Sequence, residues 1–271
     1  MGTFTKMRYA VTGCPLPVVV EGLRSRDVDA RVAAAGYMRF VRGDDVGGLL
    51  SAAMSALTDP VPTVRYHAIR FLAFQNAAGR EQLLRLLVST SDSDAPSKNA
   101  VLADLARIND PDSPFHGKAP NLFNDALRLA ESAAASLPIL EAAATARIMP
   151  SVYAPTDNSY DFTIGSDHQP HYGPHYQLHT GSWPDRCCVC GTPHPADTEE
   201  LQFRGAVDVH QVGNQVETTT AGGSLRIPVC ANAQCHLQAR QAPVLVPRGL
   251  IVHFASPQFV AELLELGSWQ A

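Results

Sequence analysis

Apolar residues recur every three or four positions through much of residues 16–148, and every second position through parts of the last third. The first period predicts amphipathic helices and the second half-buried strands. In Asp59–Phe74 the residues Val64, Ala68, Phe71 and Leu72 form one apolar stripe, with Asp59 placed to cap a helix and Pro60 in its first turn. Set above that stretch, Ser25–Phe40 matches it at an offset of 34: Ala30, Arg31, Ala34 and Met38 fall on Val64, Arg65, Ala68 and Leu72. The same helix is written twice. Between the copies "DDVGGLLSAAMSAL" reads as the helix that returns the chain. "REQLLRLLV", "SKNAVLADLARI", "NLFNDALRLAESAAASL" and "PILEAAATARI" predict further helices as far as Ile148.

The second copy resembles the HEAT-like repeat pattern "DPxxxVRxxAxxxLA" at Asp59, Pro60, Val64, Arg65, Ala68, Leu72 and Ala73; the first copy lacks the Asp-Pro. The resemblance implies that residues 1–148 form an α-solenoid of stacked helix pairs with an extended concave surface. It also implies a scaffold that docks another protein. Some relatives of such arrays are lyases or DNA glycosylases, so the repeat does not by itself fix an activity.

After Met149 the helical period stops, and residues 149–184 read as a linker rich in Pro, His and Tyr. Within it His168, His171, His175 and His179 are spaced as a metal face would be on a helix. Pro170, Gly173 and Pro174 break that helix, and the segment reads as extended chain whose rings pack on a neighbour. Residues 185–271 then switch to period two. Val207 and Val209 alternate with Asp208 and His210, and Leu225, Ile227 and Val229 with Arg226 and Pro228. "GLIVHF" supplies a further strand. "SPQFVAELLELG" is a helix with Ser256 as cap, Pro257 in its first turn, Phe259, Val260, Leu263 and Leu264 as its stripe, and Gly267 as its stop.

The candidate chemistry lies in the cysteines. Of six, five fall between positions 187 and 235. Cys187 and Cys190 form a C-x2-C-G knuckle in which Gly191 is free to take the positive φ that closes the turn; Cys230 and Cys235 form a second pair. Four thiolates at such spacing make a closed tetrahedral Zn²⁺ site that contributes folding free energy to a small domain. Cys188 and His236 are alternates, because one is an extra thiol in the first knuckle and the other follows the longer C-x4-C. A redox pair would call for a βαβ setting that turn-rich "CCVCGTPHPADTEE" lacks. Cys14 reads as a small buried residue. Knuckle, strands, knuckle, strand and helix in that order resemble a zinc ribbon with an α/β extension, of a kind whose tail is matched by Val252, Phe254, Pro257, Phe259 and Leu263. That resemblance implies a stability or interaction module. The fold class expected is α+β multidomain, with an N-terminal HEAT-like α-solenoid (1–148), a linker (149–184) and a zinc-ribbon-like domain (185–271).

Composition adjusts this picture modestly. With 45% hydrophobic residues over 271 positions the chain can fill one large core or two modest ones. Its apolar runs are short of the ~20 residues that span a bilayer, its start lacks a signal peptide's apolar block, and its cysteines suit a reducing compartment, so a cytoplasmic, non-membrane protein is expected. Residues 1–90 carry 11 Lys and Arg against 7 Asp and Glu, and residues 91–271 carry 10 against 19, within a net charge of −5. The basic first half makes nucleic acid an alternative partner, through Arg24, Arg31, Arg39, Arg65 and Arg70. The acidic pairs Asp44 and Asp45, Asp92 and Asp94, and Glu199 and Glu200 read as solvated carboxylates in polar turns, and the standard phosphate-binding and hydrolase motifs are missing. A non-catalytic protein that docks a protein partner is expected. A metal-dependent enzyme using the His168–His179 segment is a further alternative.

Overall fold

The structure, a computed structural model, describes residues 9–10, 12–41, 46–107, 119–155, 163–165, 175–178, 183–212, 215–246 and 249–270. The chain divides into two compact units at Leu122/Phe123, a boundary that falls inside a helix.

The first unit is helical: α1 (Leu16–Leu23), α2 (Val28–Tyr37) with a 3-10 turn at Met38–Phe40, α3 (Val46–Ala56), α4 (Pro62–Phe74), α5 (Ala77–Val88) and α6 (Ala95–Leu105). Each packs on helices one or two places along the chain: α1 on α2 and α3, α4 on α2, α3, α5 and α6, and α5 on α6. The buried faces are the expected ones, with Ala34, Met38, Val64, Ala68 and Leu72 removed from solvent. Gly22 of α1 shows why small residues are needed here. A Cβ at that position would lie 2.5 Å from the Cβ of Ala34.

The offset of 34 is repeated in the bonding. Arg31 donates through Nη1 to the carbonyls of Ser25 and Arg26, and Arg65 donates through Nη1 to those of Asp59 and Pro60, the residues 34 places on. Arg31 then pairs with Asp59 at 2.9 Å, and Arg65 grips Asp104 with two bonds of 2.7 and 2.9 Å. Each arginine thus ties its own turn to a carboxylate further along the chain. The pair with Asp104 lifts the Arg65 guanidinium above its ordinary value, chiefly through the hydrogen bond.

Helix α4 starts two residues later than the sequence suggests, at Pro62. Asp59 does not cap it: the N-cap position is Val61, with no side-chain cap, and Asp59 Oδ1 accepts from Val61 N–H at 2.8 Å while the other oxygen serves Arg31, so Asp59 belongs to the turn ahead of the helix. The long segment after Asn121 also breaks elsewhere. It forms α7 (Ala119–Leu129) and α8 (Ala133–Thr145), parted at Ser132, whose hydroxyl accepts from Ala135 N–H; Pro138 lies inside α8. A proline in a second turn forfeits a single helical bond, whereas a serine cap satisfies an otherwise orphan N–H.

The second unit holds two antiparallel sheets. The larger runs in the order β6-β7-β1-β2-β3-β8, from β1 (Ser151–Pro155), β2 (Thr163–Gly165), β3 (His175–Leu178), β6 (Pro243–Val246), β7 (Gly249–His253) and β8 (Gly267–Gln270). The stretch expected as linker therefore contributes three of its strands. His175 lies on β3, and His168, His171 and His179 lie outside the described residues. The smaller sheet is one hairpin of β4 (Asp197–Val212) and β5 (Gln215–Val229), with a bulge between Arg204 and Val207. Besides α8 and the greater part of α7, the unit holds α9 (Ala233–Gln241) against β4 and β5, and α10 (Pro257–Leu266) against α8. In α10 the expected details recur: Ser256 Oγ accepts from Phe259 N–H at 3.1 Å, and Phe259, Val260, Leu263 and Leu264 are buried. Phe259 stacks with Trp183 and meets Phe254 at 4.8 Å between ring centres. The layout is a mostly helical N-terminal part followed by antiparallel sheet and a terminal helix. Among the described residues no helix is long and apolar enough to cross a membrane.

Candidate metal centre

The first knuckle is a turn pinned on several sides. Cys187 N–H donates to Thr192 O at 2.8 Å and Gly191 N–H returns to Cys187 O at 2.9 Å, with Gly191 at φ +73° as expected of the closing residue. A side chain there would be strained, and its Cβ would also fall 2.6 Å from Ser256 Oγ. Cys188 N–H reaches Pro228 O at the end of β5, while Cys188 O accepts from Ser256 N–H just ahead of α10. Arg186 donates to Gly191 O and pairs with Glu262 of α10. The knuckle is thereby locked to both the hairpin and the last helix.

The second pair sits where β5 passes into α9. Asn232 caps that helix by accepting from Gln234 N–H at 2.9 Å, which places Cys235 in its first turn. Sequence reading takes this region as a knuckle alone, although Asn232 ahead of "AQCHLQARQ" is a cap signal for a helix.

These two turns bring together Cys187, Cys190, Cys230 and Cys235, with all four Sγ atoms within 4.8 Å of one another. Cys190 and Cys230 are 3.7 Å apart. Four sulfurs held tetrahedrally at ~2.3 Å from one ion lie roughly 3.8 Å apart, so the cluster fits a single tetrahedral metal with little adjustment. Cys187 and Cys235 are buried, Cys230 is half-buried and Cys190 is exposed. The Thr192 hydroxyl, 3.1 Å from Cys190 Sγ, is the main reason the Cys190 thiol is drawn down to about 6. Burial drives the Cys235 thiol the other way. A metal entering the site takes the place of the proton on that buried sulfur.

The two alternates are otherwise engaged. Cys188 is buried and is not one of the four clustered thiols, and burial pushes its thiol up to about 12. His236 bonds Glu199 through Nδ1 at 2.8 Å. We therefore expect Cys188→Ala to bind the same amount of metal as the wild type. Metal analysis showing a lost equivalent would place Cys188 among the ligands.

Glu199 is the residue that sequence reading misplaces. Expected as a solvated carboxylate in a turn, it lies in β4, is 8% exposed, and takes bonds from His236 and from Arg240 Nε at 2.7 Å. Its parity carries the signal: Glu199 shares a face with the buried Leu201, and their register partners Ile227 and Leu225 are buried too. The carboxylate clasps one face of α9 and so fixes the helix that carries Cys235. Arg240, then His236, hold the Glu199 carboxyl below the ordinary glutamate range. A folded-state value below the unfolded ~4.3 adds stability above that pH, which is lost as pH falls through the folded value. Glu199→Gln is expected to cost about 1–3 kcal/mol at pH 7, with the gap to wild type closing below about pH 4. Thermal unfolding across that range measures it, and a gap that stays constant would assign the loss to packing.

No family model matches this chain, and neither a curated protein nor a solved structure matches it.

Proposed function

We propose that the protein is a non-catalytic adaptor or assembly subunit, in which a HEAT-like α-solenoid docks a protein partner on its concave face and a zinc-ribbon-like module is held by structural Zn²⁺. The observation that carries this reading is the four-thiol set. Four cysteine sulfurs on one ion would fill every position of a tetrahedral site, leaving none for a substrate or a reacting water, and tetrahedral thiolates suit Zn²⁺ or an iron–sulfur centre. The bonding of Arg31 and Arg65 supports the repeat part, since both guanidinium groups are turned inward to carbonyls and carboxylates. Arg70 shares Tyr66 Oη, and Arg39 lies over Phe40.

Two measurements test the reading. Elemental analysis of freshly purified protein is expected to give about one zinc per chain and no visible iron–sulfur absorbance. Titration with labelled duplex and single-stranded DNA and RNA at low salt is expected to show no binding. Micromolar or tighter binding that falls steeply with salt, and is lost when Arg24, Arg39 and Arg70 are replaced, would favour the nucleic-acid alternative. Zinc-dependent turnover lost on replacing His175 would favour the enzyme.

A further inference from the structure

The four thiols of the cluster differ in access. Cys187 and Cys235 are buried, as is the neighbouring Cys188, whereas Cys190 is exposed and Cys230 half-buried. The two accessible sulfurs are also the pair 3.7 Å apart, one on each knuckle. Thr192 Oγ1 lies 3.1 Å from Cys190 Sγ, and Cys190 stays exposed beside it.

We propose that Cys190 and Cys230 are the peroxide-reactive edge of this centre, closing to a disulfide that discharges the metal. This rests on the reading of the cluster as a metal site. The oxidant is a hydroperoxide such as hydrogen peroxide. The Cys190 thiolate attacks one peroxide oxygen; the O–O bond breaks, hydroxide leaves, and the sulfur becomes a sulfenic acid, oxidised by two electrons. The Cys230 thiolate then attacks that sulfur. The S–O bond breaks, a second hydroxide leaves, and the S–S bond forms. Two thiolates and one hydrogen peroxide become one disulfide and two hydroxide ions. Both steps require access that Cys187, Cys188 and Cys235 lack.

Discharge follows from ligand count. Once Cys190 and Cys230 are joined, Cys187 and Cys235 alone remain, and two sulfurs do not make the closed four-coordinate site. The disulfide bridges the knuckles in the ion's place and keeps them close, so a thiol reductant restores the original ligand set.

The test uses the full-length, metal-loaded wild-type protein. Hydrogen peroxide is added stepwise, released metal is followed with a colorimetric chelator, free thiols are alkylated, and the cross-linked peptides are mapped by mass spectrometry. The expected result is about one metal released per chain in step with a Cys190–Cys230 disulfide, and metal re-bound after dithiothreitol. A dominant disulfide involving Cys187, Cys188 or Cys235, or metal release without any disulfide, overturns the proposal. Protein purified without metal overturns the metal reading instead. In that protein the mapped pairing still decides whether Cys190 and Cys230 are the reactive pair.

Discussion

Metal removal is expected to unfold the cysteine-bearing part of the second unit and leave the first unit intact. The first knuckle is tied by backbone bonds to the end of β5 and to Ser256 ahead of α10, and a metal on the four sulfurs is what would join it to Cys230 and to Cys235 of α9. Apparent metal-binding free energies at structural zinc sites run at about 10–16 kcal/mol, against a total domain stability of about 5–15 kcal/mol. Loss of the ion therefore removes as much as holds such a region together. Cys190→Ser, or treatment of the wild type with a strong chelator, should open Trp183–Leu266 to protease. The effect should extend to α8, because that helix packs on α10. Sequence reading alone confines it to residues 185–271. Limited proteolysis with mass mapping reads the result directly. Equal protection of the second unit with and without metal would show that its apolar core, around Phe254, Phe259 and Trp183, suffices.

How legible this was depends on the range of the interactions concerned. The knuckles are local: a C-x2-C-G turn needs only neighbouring residues, and Gly191 takes the positive φ its position demands. The repeat is local too, since each copy carries its stripe and its arginine within sixteen positions. The strands of the linker region are not. β1 has five residues and β2 three, and what orders β1 is its pairing with β7, as in Val152 with Val252, a hundred positions away. A strand made by distant partners leaves little periodic signal in its own sequence. The burial of Glu199 is hidden for a different reason. Its charge suggested solvent, while parity with Leu201 put it on the buried face, where Arg240 and His236 supply the partners that a buried carboxylate requires.

Ala68→Arg is expected to be the most damaging single change in the first unit. Ala68 is fully buried in α4, the helix that packs on α2, α3, α5 and α6, and it occupies the repeat position of Ala34, which faces Gly22 without room for one added carbon. Arginine there adds a long side chain to a filled site, at about 1–3 kcal/mol for overpacking alone. It also brings a guanidinium into a fully buried position, while Asp59 and Asp104 already serve Arg31 and Arg65. An unpaired buried charge adds roughly 3–5 kcal/mol. The total approaches the whole stability of an ordinary domain, so the variant should populate an unfolded first unit at room temperature. Ala68→Ser separates the two causes, since it adds one small polar atom and should cost far less. Denaturant unfolding of the three proteins, read by far-ultraviolet circular dichroism, gives the comparison, and metal content serves as the control because the four clustered cysteines lie in the other unit. A change within ~0.5 kcal/mol for Ala68→Arg, the range of an ordinary surface substitution, would mean that this face of α4 is not packed as the repeat requires.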